Sequence, residues 1–146
     1  FNISEKEAES MSPLQRVLLE CSFLALLDAG YTSREMKGLN CGVFVGVCTD
    51  SSTSARPTNS YSNCHQSTSA YEGIGASASI ASGRISYFFN FEGPNVVYDT
   101  ACSSSLVALE ASISALQGGK CDIALVAGVS ELFDKRSFER CAKAGM

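Results

Sequence analysis

Residues 96–127 constrain this chain more than any other stretch. An apolar run from Val96 to Asp99 gives way to a helical pattern from Cys102 to Gln117; Gly118-Gly119 stops it, and a second apolar run, Cys121 to Ala127, follows. Two such runs joined by a helix predict a β-α-β unit, with both strands parallel in one sheet and the helix packed across it. The spacing of Leu106, Leu109, Ile113 and Leu116 predicts the core-facing stripe of that helix. A glycine-bounded run from Cys41 to Val47 has the composition of a strand buried on both faces. The expected class is α/β, a mostly parallel sheet with helices on both faces.

The flanking segments carry their own punctuation. Ser12-Pro13-Leu14-Gln15 predicts a helix start, with Ser12 as N-cap, Pro13 in the first turn and Gln15 placed to close a capping box. Leu14, Val17, Leu18, Cys21, Leu24 and Ala25 predict its buried face, and Gly30 its left-handed stop. Asp50 to Ser69, rich in Ser, Thr and Asn and containing Pro57, reads as a long loop. Small residues from Gly75 to Gly83 predict one closely packed helix running to Phe89, and Lys135 to Ala144 predicts a last one.

With 146 residues, 45% of them hydrophobic, the chain suits one domain with a real core. A net charge of −4, with 11 basic residues scattered along the sequence, supplies no electrostatic footprint for nucleic acid or an anionic membrane, so neither partner is expected. No apolar run approaches the roughly 18–20 residues that span a bilayer. The chain opens on Phe1, and we expect it to be an excerpt of a longer polypeptide. Seven cysteines, odd in number and irregular in spacing, predict free thiols in a reducing intracellular compartment, the cytoplasm or an organelle such as a plastid. No two lie closer than Cys41 and Cys48, so the pattern of a zinc site is missing and no metal is expected. Cys21, Cys41, Cys64, Cys121 and Cys141 read as small buried or half-buried hydrophobes.

Cys102 differs because it stands where the strand pattern meets the helix pattern. A helix N-terminus offers partial positive charge and unpaired N–H groups, both of which favour a thiolate over a thiol. Cys102 is therefore the candidate nucleophile.

The segment Asp99-Thr100-Ala101-Cys102-Ser103-Ser104-Ser105-Leu106 resembles the active-site motif of β-ketoacyl synthases, in the form found in type I polyketide synthases and multifunctional fatty acid synthases. Phe1-Asn2-Ile3-Ser4, Met11-Ser12-Pro13-Leu14-Gln15-Arg16, Gly42-Val43-Phe44-Val45-Gly46, Gly83-Arg84-Ile85-Ser86-Tyr87 and Gly93-Pro94-Asn95 follow that family's order, as do Cys121 to Val129 and Ala144-Gly145-Met146. Ser12 and Ser130 depart from it, standing where the family often has Asp and Asn. The resemblance implies the N-terminal half of a thiolase-like fold, incomplete in itself, over residues 1–146. It implies acyl transfer to Cys102 followed by decarboxylative Claisen condensation with a malonyl-type extender. Substrates would ride on the phosphopantetheine of an acyl carrier protein, with no cofactor bound by the domain itself. Other domains of a multifunctional synthase are the implied partners, and the complete domain is expected to be a homodimer.

The family's two catalytic histidines and accompanying lysine fall, by the resemblance, downstream of Met146. His65, the only histidine, matches neither motif and reads as a solvated loop residue, so the chain alone is expected not to condense substrates. Gly73-Ile74-Gly75-Ala76-Ser77-Ala78 fits a dinucleotide fingerprint formally, but the polar stretch before it is no strand. By the resemblance, residues near Glu72 to Ala76 would help line an acyl pocket. Asp99 reads as structural, and Ser103, Ser104 and Ser105 as small residues permitting close approach. Two other classes stay open. One is a non-catalytic ketosynthase-like subunit, chain-length-determining or scaffolding, against which the intact cysteine counts. The other is a thiol redox protein, against which counts the lack of a resolving cysteine nearby in sequence.

Overall fold

The computed structural model describes residues 1–49, 70–131 and 135–145. The elements run α1 (Glu5–Ser10), α2 (Pro13–Asp28), β1 (Cys41–Thr49), α3 (Ala70–Ala76), α4 (Ile80–Phe89), β2 (Asn95–Tyr98), a 3-10 turn (Ala101–Ser103), α5 (Ser104–Gln117), β3 (Ile123–Glu131) and α6 (Lys135–Lys143). The expected loop at 50–69, with Cys64 and His65, lies outside the described residues.

The three strands form one parallel sheet in the order β2-β1-β3, so β1 is central and hydrogen-bonded on both sides. Because side chains alternate along a strand, β1 feeds two separate cores. Val43, Val45 and Val47 pack against Leu14, Leu18 and Leu26 of α2 and Ile85 and Phe89 of α4. Phe44 points to the other side and packs with Ala108 and Ala115 of α5 and with Cys121. Helices thus cover both faces of the sheet, as the sequence predicts.

Glycine stops two helices by the same device. Gly30 (φ +91°) follows α2, with its N–H donating to the Leu27 carbonyl at 2.9 Å and that of Tyr31 to Leu26 at 3.0 Å. Gly119 (φ +65°) follows α5, where its own N–H and that of Lys120 reach Leu116 and Ala115. These paired bonds are Schellman caps, and both glycines sit at the left-handed position such caps require.

Three expectations need correction. The inner face of α5 is Ser104, Ala108, Ser112 and Ala115, whereas Leu106 is 68% exposed and Leu109, Ile113 and Leu116 also face outward. A helix lying close on a sheet presents its small residues to the strands, so the most apolar stripe is not the one that packs here. On α2 the buried stripe is Leu14, Gln15, Leu18, Leu19, Ser22 and Leu26, while Val17, Cys21, Leu24 and Ala25 are exposed. That helix is apolar on two sides, and the side engaged also carries buried polar groups.

The third correction concerns the helix expected from Gly75 to Phe89, which is two helices broken at Ser77–Ser79. Gln15 explains how the break is tolerated. Ser12 caps α2, its hydroxyl accepting the Gln15 N–H at 3.3 Å, but the Gln15 side chain does not close the box. Its amide donates instead to the carbonyls of Ile74 and Ser77, each at 3.0 Å, and its oxygen accepts Arg84 Nε–H at 2.7 Å. Arg84 in turn pairs with Glu7 at 2.5 Å, tying α1, α2 and α4 together. Gly75 packs so closely on α1 that a Cβ there would run into the Ser10 carbonyl, a structural use of the glycines in the apparent fingerprint.

Candidate functional site

The approach to Cys102 starts from β2. After Tyr98 the chain leaves the sheet, turns through Asp99 and Thr100, and makes one 3-10 turn before α5 begins at Ser104. Cys102 therefore lies in that turn rather than in the α-helix itself, a shift of two residues from the expected helix start. It is exposed.

The turn is held in an unusual backbone state. Ala101 has φ +56°, a left-handed conformation that costs a non-glycine residue on the order of 1–2 kcal/mol. Its N–H donates to Asp99 Oδ1 at 3.2 Å, and its carbonyl accepts the Ser104 hydroxyl at 2.7 Å. Ser104 Oγ also accepts the Thr100 N–H at 2.8 Å and is buried. The Ser103 hydroxyl bonds back to the Thr100 carbonyl at 2.8 Å and does not cap α5. Asp99 thus has the structural role the sequence suggests.

Two glycines bring this turn against the sheet. Gly46 of β1 and Gly128 of β3 are register partners. A Cβ on Gly46 would stand 2.5 Å from the Ser104 carbonyl carbon and the Ser105 nitrogen, and one on Gly128 would stand 2.7 Å from Ser105 Cβ. Such distances are impossible for real side chains, so the start of α5 can sit there only because both positions are bare. The small size expected to matter for Ser104 and Ser105 does matter, together with the bare backbone of Gly46 and Gly128.

Beside Cys102 is an open cavity of about 370 Å³ lined by Gly46, Cys48, Ala101, Ser104, Ser105, Gly128, Val129 and Ser130. It lies toward the C-terminal ends of β1 and β3, the end of a parallel sheet where ligands bind in open α/β folds. Cys48 follows Gly42, Phe44 and Gly46 on the same side of β1, and alternation alone would have placed it here. Ser130 donates from its hydroxyl to the Cys48 carbonyl at 3.4 Å.

The other cysteines divide by position. Cys41 and Cys121 are buried, as expected, and burial pushes the Cys41 thiol up to about 11 from its ordinary 9.0. Cys21 and Cys141 are exposed, against expectation, because each lies on a helix face that no other element among the described residues covers. Among the described residues no group of three or more His, Cys, Asp or Glu side chains is arranged to hold a metal, and no helix is long and apolar enough to cross a membrane.

Comparison with known proteins agrees with this geometry. The model of the β-ketoacyl synthase N-terminal domain matches residues 1–146. The chain is 46% identical over 136 residues to cyclo-acetoacetyl-L-tryptophan synthase of Aspergillus oryzae, covering 92% of this chain and 3% of that protein. It is 36% identical to the fatty acid synthase of Anser anser anser over all of its own length and 40% of that relative. Among solved structures, the ketosynthase from module 6 of the bacillaene synthase of Bacillus subtilis superposes with a TM-score of 0.79 at 36% identity, covering 100% of this chain and 23% of the other. The chain thus spans a small part of most of these relatives and about a quarter of that ketosynthase. Family model, relatives and superposition converge with the sheet, the turn and the motif: the chain belongs to the β-ketoacyl synthase family, as its N-terminal domain.

Proposed function

We propose that Cys102 is the nucleophile of a β-ketoacyl synthase of polyketide or fatty acid biosynthesis, and that this chain is the N-terminal portion of the complete domain. The observation that carries the reading is an exposed thiol on a strand-to-helix turn, opening onto a cavity at the C-terminal end of a parallel sheet. The thiolate attacks the carbonyl carbon of an acyl thioester on an acyl carrier protein. The resulting oxyanion is held by backbone N–H groups, that of Cys102 among them, and collapse expels the phosphopantetheine thiolate. A malonyl-type thioester then loses carbon dioxide, and its carbanion attacks the acyl-cysteine and releases the Cys102 thiolate with a β-ketoacyl product.

The outward Leu106, Leu109, Ile113 and Leu116 support the proposal about the domain, since the remainder of a larger domain would cover them. The complete domain would supply the decarboxylating groups and pair as a homodimer beside other domains of a multifunctional synthase. The test is incubation with hexanoyl-pantetheine followed by peptide mapping. A hexanoyl mass on the Cys102 peptide is expected; acylation confined to other residues would overturn the assignment.

A second reading gains from one observation. Cys48 and Cys102 line the same cavity although they lie 54 positions apart in the sequence, so Cys48 is the candidate resolving thiol. With hydrogen peroxide as oxidant, Cys102 would become a sulfenic acid with loss of water, and Cys48 would displace a second water to form a disulfide. A Cys48–Cys102 peptide without any acyl transfer would favour this redox reading.

A further inference from the structure

We propose that Ser104 is a positioning residue for Cys102, acting with Asp99 as a clamp on the Ala101 peptide; the inference rests on the nucleophile assignment above. The clamp is visible atom by atom. Asp99 Oδ1 accepts the Ala101 N–H, the Ser104 hydroxyl donates to the Ala101 carbonyl, and the same hydroxyl oxygen accepts the Thr100 N–H. Ala101 directly precedes Cys102 and is left-handed without being glycine. Its conformation is unfavourable by itself and persists because the surroundings over-determine it.

The direction of the Cys102 thiol follows from that conformation. If Ala101 relaxed to an ordinary negative φ, the peptide joining it to Cys102 would rotate, and both the sulfur and the Cys102 N–H would swing with it. Ser104 is well placed to prevent this because it is buried, its main chain is seated against Gly46, and its hydroxyl is engaged by two hydrogen bonds. Ser104 touches no reacting atom, and its contribution passes entirely through Ala101.

The test uses the complete polypeptide that carries this chain and follows hexanoyl transfer from hexanoyl-pantetheine to Cys102 by intact mass spectrometry. Ser104→Ala is expected to slow acylation about ten- to a hundredfold while leaving the half-saturating thioester concentration within about twofold. Adding Ala101→Gly is expected to restore the rate to within about threefold of wild type, because glycine adopts a positive φ without assistance. A serine needed only for packing would show no such rescue. Asp99→Ala, which opens the other jaw, should slow the reaction and Asp99→Asn, which keeps an oxygen there, should not; this pair decides the matter if Ser104→Ala does not fold. The rate of Cys102 alkylation by iodoacetamide, independent of thioester recognition, should fall with the same variants. Wild-type rates in Ser104→Ala, or a defect that Ala101→Gly leaves untouched, would overturn the clamp. Failure of the wild-type protein to acylate at Cys102 would instead overturn the nucleophile assignment, with alkylation still reporting on the clamp.

Discussion

Gly46 and Gly128 stand opposite each other on neighbouring parallel strands, and the first turn of α5 rests on the bare backbone they provide. The position of Cys102 is therefore fixed from below by two missing side chains as much as from its own turn.

Gly46→Ala should be the more damaging of the two replacements. Its new methyl meets three main-chain atoms of Ser104 and Ser105 at 2.5–2.6 Å, whereas that of Gly128→Ala meets one such close atom, Ser105 Cβ at 2.7 Å. Overpacking of this kind costs roughly 1–3 kcal/mol, and α5 must lift to relieve it. Urea unfolding together with the rate of Cys102 acylation checks this, and a Gly46→Ala protein matching wild type in both would refute the seat.

Gln15→Ala should destabilise the fold by about 3 kcal/mol, since it strips a partner from the Ile74 and Ser77 carbonyls and from Arg84 Nε in one step. Gln15 is only 1% exposed, so water cannot readily replace the lost amide. Gln15→Glu should also destabilise, because a carboxylate keeps the Arg84 bond but cannot donate to the two carbonyls. Thermal unfolding of both variants tests this; a loss below about 0.5 kcal/mol in Gln15→Ala, the size typical of an ordinary surface change, would contradict it.

The buried Cys41 thiol predicts an alkaline limb in stability. Its folded pKa, about 11, lies above its ordinary 9.0, chiefly through burial, with a hydrogen bond from the Leu125 backbone opposing and nearby Cys121 adding to the rise. Below pH 9 both states are protonated and the contribution is intact. Between 9 and 11 the unfolded chain releases the proton and the folded one does not, so stability is lost as pH rises, by about 3 kcal/mol over the window. Urea midpoints of wild type and Cys41→Ala measured across this range should show the steeper decline in wild type, and parallel curves would contradict the prediction.

The sequence made the strand-turn-helix around Cys102, the capped start of α2 and the glycine stops at Gly30 and Gly119 legible, because each depends on residues adjacent in the chain. It misled where the answer depends on what packs opposite. Leu106, Leu109, Ile113 and Leu116 form the greasier stripe of α5, yet the sheet lies so near that only Ser104, Ala108, Ser112 and Ala115 fit against it. Those small residues recur at helical spacing and were the signal available. Gln15 looked like a local cap because its partners, Ile74, Ser77 and Arg84, are about sixty to seventy residues away. The left-handed Ala101 had no signature at all, since alanine does not advertise a positive φ.

Whether Cys102 carries the acyl group is tested by loading from an acyl-loaded carrier protein onto the complete polypeptide, wild type against Cys102→Ala, read by intact mass. One acyl group per wild-type chain is expected, and none on a Cys102→Ala protein whose unfolding curve is unchanged. Equal loading of the two proteins would contradict that role for Cys102.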